Sequence, residues 1–277
     1  VAALVGYFLV IRGLTFAGHA MSHIGFAGAA GALLFGLDPL FGLLVFTIGA
    51  GVGIGLLGSN ARQRDIIIGI LMTVALGVGS MCIALYHAYA EAAYSVLLGQ
   101  VLGISQVDVL VTAIFSALVI GALLFLFRPL LFCSVDPEVA RARGLPVSAL
   151  SLLFLILVAI TVSIAVLFVG VLLIFTLLVG PVATAMRLFR RPLWVILTAM
   201  LFGLLFIWGG ILLAANGDWP VSFYITALSF GIYLPVRLLS PLWARKRGQP
   251  PVQSAIVHPE GNQEPAALTG PGRQRTA

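Results

Sequence analysis

Charge is what this chain has least of. Only 9% of its 277 residues are Asp, Glu, Lys or Arg, while 61% are hydrophobic and the mean hydropathy is +1.15. A soluble domain carries roughly 25% charged residues, so a water-facing globular fold is excluded. Lysine is almost missing, with Lys246 the single example. No Gly-Lys-Ser/Thr triplet occurs, so the chain has no Walker A loop with which to hydrolyse ATP. Cys82 lies inside an apolar run and Cys133 at a predicted cytoplasmic edge, and two such cysteines make no disulfide framework. No charged n-region opens the chain, so no cleavable signal pattern is read. The first apolar run, Val1–Ile11, is shorter than the ~20 residues a membrane span needs, and without an initiator methionine a truncated or misassigned start is the expectation. The apolar runs hold no deep Asp or Glu, which leaves an intramembrane metalloenzyme without a general base.

What is present is a series of apolar runs. After Val1–Ile11 come Leu14–Leu37, Leu40–Leu57, Ile66–Tyr86 and Val107–Phe127, then Ser151–Leu167, Phe168–Met186, Leu193–Ala214 and Val221–Leu239. The less apolar stretch His87–Gln106 reads as an outer-face segment that does not cross. The expected fold is all-α, a polytopic helical bundle with about 8–9 transmembrane segments. Residues 1–243 form the membrane domain, and residues 244–277, rich in Pro, Gly and Gln, form a disordered cytoplasmic tail. Placing Arg62 and Arg64 in the cytoplasm and alternating the runs puts all 15 basic residues inside. Asp38, Glu91, Asp108 and Asp218 then fall outside, which is the charge bias that orients membrane proteins. The net charge of +6 is therefore an orientation signal rather than a nucleic-acid surface. Gly49, Gly51, Gly53 and Gly55 sit within an apolar run with no strand before it, so they serve close helix packing and not a dinucleotide loop.

Near the middle, Phe132–Leu150 interrupts the apolar pattern. Asp136 suits an N-cap, Pro137 the first helical position, and Glu138 the positive end of the helix dipole. Arg141 and Arg143 fall in the last turn, Gly144 can close it left-handed, and Pro146 stops it. The stretch spells a short, self-capped helix between two spans. It is either a solvated loop or a helix that a soluble partner grips.

The second run opens GHAMSHIGFAGAA at Gly18. His19 and His23 are four apart, so they share a helix face. His23 lies about 14 Å into a hydrocarbon core about 30 Å thick. Imidazoles at that depth face a cavity or a partner, and an i, i+4 pair can offer two nitrogens to one divalent cation. Equally, both rings could hydrogen-bond between helices. His87 and Glu91, also four apart, mark either an outer access site or a solvated helix end. Asp65 is expected to cap a helix start, Pro181 to be a packed kink or a hinge, and Asp38 with Pro39 a turn.

Taken together these stretches resemble the permease subunits of zinc/manganese ABC importers. Gly18, Ala20, Ser22, His23 and Gly28 match that family's Gly-Asp-Ala-x-Ser-His-x-x-x-x-Gly segment, with His19 in place of the usual Asp. Asp65-x-x-x-Gly69, the LLGQVLGIS stretch Leu97–Ser105 containing Gly99, and Asp136–Gly144 resemble further family elements in order. Val169–Ala185, with Gly180 and Pro181, resembles its Val-Gly-x-Leu-Leu…Pro-Ala helix. Asp218-Trp219-Pro220 resembles its Asp-x-Pro-x-Gly turn, with Ser222 where Gly is common. The likeness runs from Arg12 to about Leu239.

The resemblance implies a type II ABC importer permease, a transport subunit and not an enzyme, in the bacterial-type plasma membrane with its C-terminus cytoplasmic. Such permeases pair as homodimers in lipid and bind two ATPase subunits through a loop at about residues 132–148. That assigns Asp136, Glu138, Ala140, Arg141 and Gly144 to coupling. Metal arrives from an extracytoplasmic binding protein. His19 and His23 would line the path, His87 and Glu91 its outer access, and Asp65, Gly99, Gly180, Pro181, Asp218 and Pro220 would be structural or gating residues. No cofactor is held permanently. The transported ion is Zn or Mn, with zinc favoured because imidazole suits zinc and carboxylate suits manganese. Two rivals stand beside this reading: a permease for iron-siderophore or cobalamin, and an ion-coupled secondary carrier, which should show an inverted repeat.

Overall fold

The computed structural model describes residues 1–58, 61–85, 99 and 105–246, with side chains omitted at 61–62 and 241–246. Among the described residues there are eleven helices and no strand. They are α1 (Ala2–Ile11), α2 (Thr15–Leu34), α3 (Pro39–Leu57), α4 (Ala61–Leu85), α5 (Gln106–Phe125) and α6 (Phe127–Val135). After these come α7 (Pro137–Ala142), α8 (Val147–Val169), α9 (Val171–Leu188), α10 (Pro192–Ala215) and α11 (Val221–Lys246). The chain forms two units. Val1–Arg237 holds the bundle, and from Leu238 onward the described residues are the last turns of α11. The proposed tail beyond residue 246 lies outside the described residues.

Among the described residues, seven helices are long and apolar enough to cross a membrane: α3, α4 from Gln63, α5, α8, α9, α10 and α11 to Ser240. That is fewer than the eight or nine segments read from the sequence. The difference is α1, which has 10 residues, and α2, which is long but not apolar enough. Both helices are enclosed by the others. α2 packs against α3, α4, α8 and α9, and α1 against α9 and α10. A helix shielded by protein does not have to be lipophilic all round. That is why α2 can carry His19, Ser22, His23 and a run of Gly and Ala.

Small residues set the closest approaches. A Cβ on Gly28 would strike the Gly42 carbonyl and one on Gly42 would strike the Gly28 carbonyl, so α2 and α3 meet backbone to backbone. A Cβ on Gly79 would come within 3.1 Å of Ala27, which brings α4 against the other flank of α2. Such contacts replace hydrophobic driving force inside a bilayer. One polar clasp joins α3 to α8. The Thr47 and Ser163 hydroxyls are 2.6 Å apart, so one donates to the other, and the accepting hydroxyl keeps its own hydrogen for a carbonyl of its helix, Leu43 for Thr47 or Ala159 for Ser163.

Four boundaries differ from the sequence reading, each for a local reason. The run read as Val107–Phe127 ends as α5 at Phe125 and a separate helix, α6, starts at Phe127, because Pro129 has no N–H and is tolerated only in a first turn. The break between α8 and α9 falls at Gly170 rather than at 167/168, since its φ of 88° and ψ of 158° belong to a region only glycine readily visits. α8 begins at Val147, directly after Pro146, instead of at Ser151. Finally, α4 starts at Ala61, upstream of Asp65. The good helix formers Arg62, Gln63 and Arg64 carry the helix back, so the reading of Asp65 as a helix cap is corrected: it lies exposed inside α4.

Candidate functional site

α2 is built to hold side chains away from lipid. Its N-terminus follows a glycine-closed end of α1, where Gly13 (φ 62°) lets Leu14 N–H donate to the Leu9 carbonyl at 2.8 Å. One turn apart on α2, His19 and His23 lie edge to face with ring centroids 4.7 Å apart. Both rings are half-buried while Gly18, Ala20, Met21, Ser22 and Ile24 around them are buried. Ser22 Oγ donates to the His19 carbonyl at 2.7 Å and so is satisfied within the helix. The Nδ1 of His19 is buried and has no hydrogen-bond partner. A third ring, Phe175 of α9, stands edge-on to His19 at 4.9 Å. Sequence reading missed Phe175, because only the tertiary packing of α9 on α2 brings it there.

A buried imidazole nitrogen without a partner is costly to leave empty. A divalent cation is one group that would fill it, since neutral imidazole is a good ligand for zinc. Among the described residues no cluster of three His, Cys, Asp or Glu gathers around the pair. His87 and Glu91 lie outside the described residues.

The second predicted element stands apart from the first. Asp136 is the N-cap of α7, and its Oδ1 accepts from Val139 N–H at 3.0 Å with Pro137 in the first turn. Glu138 is in the first turn and Arg141 in the last. Gly144, at φ 79°, donates to the Arg141 carbonyl at 2.9 Å, and Leu145 N–H reaches the Ala140 carbonyl at 3.1 Å. Those two bonds make a complete left-handed closure. Arg143 sits at the C-cap, one residue beyond the expected last turn, with its guanidinium 5.3 Å from the Phe132 ring centroid. Ala140 alone of this helix is buried, anchoring it to the bundle, while Glu138, Val139 and Arg141 are exposed.

The remaining candidates are dispersed. Gly99 has φ 82°, and a Cβ there would come within 2.5 Å of the Phe168 carbonyl, so only glycine lets this backbone approach the α8–α9 joint. Gly180 of α9 presses on the Ser229 hydroxyl of α11. Pro181 is buried inside α9, which continues through it, and Thr184 Oγ donates to the Gly180 carbonyl at 2.8 Å. Asp218 and Pro220 lie in the exposed turn before α11, where Trp219 stacks on Phe223 at 5.2 Å. None of these touches the histidine pair in the contacts described.

Comparison with known proteins places this arrangement. Residues 1–240 match the ABC 3 transport family. The chain is 29% identical over 258 residues to the manganese transport system membrane protein MntC of Halalkalibacterium halodurans, covering 90% of this chain and 88% of that protein. It is 29% identical over 219 residues to the high-affinity zinc uptake system membrane protein ZnuB of Haemophilus influenzae, covering 79% and 84%. The solved structure of PsaBC from Streptococcus pneumoniae in complex with Fab superposes with a TM-score of 0.78 at 25% identity, covering 89% of this chain and 90% of that one.

Proposed function

Given that the chain belongs to the ABC 3 transport family, we propose that it is the membrane-spanning permease of an ATP-driven importer of divalent metal ions. It is a multi-pass membrane transport subunit and not an enzyme. The observation that carries the metal reading is the pair of imidazoles 4.7 Å apart on α2, the helix most enclosed by its neighbours. Relatives named for manganese and for zinc both support a divalent cation as cargo. Zinc is favoured over manganese because His19 supplies a second imidazole where a carboxylate is commoner. We count α2 as an eighth crossing helix, so the pair sits near mid-membrane.

The ion meets two or three ligands rather than a closed tetrahedral set, so it can leave again. Both imidazoles must be neutral to ligate, so acidification strong enough to protonate them slows uptake. Two permeases pair, α7 of each receives a cytoplasmic ATPase subunit, and an extracytoplasmic binding protein delivers the ion. The separate ATPase is required because this chain has no phosphate-binding loop. In a strain lacking its own importer, with the partner subunits supplied, wild-type protein should restore uptake of zinc offered alone, and of manganese less well. Uptake of neither metal would end the reading. Orientation is tested by single cysteines on a background lacking Cys82 and Cys133. Gly217→Cys should react with an impermeant reagent outside intact cells, and labelling of Val135→Cys there would invert the topology.

A further inference from the structure

Two arginines near one face of the bundle lack the partners a desolvated cation needs. Arg12 follows α1. Its Nη2 donates to Ser151 Oγ of α8 at 2.8 Å, and its guanidinium lies 5.3 Å from the Phe154 ring centroid. Its Nη1 is buried with no hydrogen-bond partner. Arg64 is in the first turns of α4, its stem against Gly58 at the end of α3, and its Nε is likewise buried without a partner. No ion pair joins either guanidinium to a carboxylate among the described residues, though Asp65 is Arg64's chain neighbour. Burial pushes the Arg12 guanidinium below its ordinary range, Cys133 opposes this, and Arg64 adds a smaller downward push.

Cations are favoured at helix C-termini, and Arg12 follows α1 while Arg64 covers the end of α3. Dipole compensation does not fill the buried Arg12 Nη1 and Arg64 Nε, which have no hydrogen-bond partner. The end of α3 brings the two toward one another, since Gly55 packs on Leu152, next to Ser151, and Gly58 on Arg64, and two half-buried cations with unfilled donors call for an anion. Their level identifies its source. The apolar part of α4 begins at Gln63, α1 ends at Ile11 and α8 begins at Val147. Arg12, Arg64 and Ser151 therefore lie where spans meet headgroups, whereas α7, the proposed docking element, is exposed. Basic positions between helices at that level suit lipid phosphates.

We infer that Arg12, Arg64 and Ser151 form a seat for the phosphate of an anionic phospholipid headgroup, in the leaflet on the side of α7. The guanidinium groups, each half-buried, turn their covered donors to the phosphate oxygens when the lipid is present. The bound headgroup ties α1, α4 and α8 together, and this holds whether or not the histidine pair ligates metal.

The test is thermal unfolding of the purified full chain in detergent with added phosphatidylglycerol, phosphatidylcholine or inorganic phosphate. Phosphatidylglycerol should raise the melting temperature of the wild type by about 3–6 °C, with little effect from phosphatidylcholine. The Arg12→Gln/Arg64→Gln double variant should lose most of that rise. Arg187→Gln, which removes a basic residue in the last turn of α9 that the seat does not include, should keep it and so exclude general charge attraction. Should the double variant not fold, Arg64→Gln alone serves, since it removes the Nε that is buried without a partner. Equal rises in wild type and variants would overturn the inference. A full rise with inorganic phosphate alone would replace the lipid by a free anion. Stabilisation by the partner ATPase with no lipid effect would put a protein carboxylate in the seat instead.

Discussion

α2 and α7 carry the two halves of the proposed function, and they are stabilised in opposite ways. α2 has no side-chain cap and no charged residue, and most of it is buried against four neighbours. α7 is six residues long, capped at both ends, and exposed except at Ala140. A six-residue helix is too short to persist on propensity, so its caps and its one anchor hold it. The helix of the histidine pair is therefore made by tertiary packing, and the short capped helix by local chemistry. One glycine in each makes the contrast concrete. Gly28 has ordinary backbone geometry but no room for a Cβ, while Gly144 has open space but a left-handed φ of 79°.

The larger effect is expected at Gly28. Gly28→Leu must push α2 off α3, at a cost of about 3 kcal/mol, and should lower the melting temperature of the purified protein and remove transport together. An unchanged melting temperature would break the claim that α2 is held by close packing. Gly144→Val is the smaller change. Strain in the left-handed region costs about 1–2 kcal/mol, confined to the end of α7. The variant should insert and melt almost as wild type, while metal no longer stimulates the associated ATPase. If that stimulation survives, α7 is not the docking element.

This contrast also explains what the sequence made legible. The capped helix could be read to within one residue, since Asp136 and the Gly144–Leu145 closure act through bonds to residues three to five away and Pro137 through its own fixed φ. The shared face of His19 and His23 followed from helical spacing, and the order of apolar runs from hydropathy. What escaped depended on contacts across the bundle. Phe175 is 156 positions from His19 (175 − 19), and no local pattern announces that they meet. The Thr47–Ser163 clasp is separated by 116 positions. Asp65 was misplaced because a capping residue and a carboxylate inside a helix look alike once Arg62, Gln63 and Arg64 extend the helix upstream. The seven-span count fell below expectation because α2, shielded by its neighbours, is not apolar enough to be recognised as a span.

The account rests most heavily on His23 as a transient ligand on the translocation path. Uptake of zinc by His23→Ala and His23→Asn, measured side by side with wild type at matched expression and with ATPase assembly verified for each, tests it most directly. Asparagine keeps a hydrogen-bonding side chain but loses the imidazole nitrogen that ligates. The account predicts that both variants assemble and neither transports. Normal uptake by His23→Asn would contradict it and leave the pair as interhelical packing.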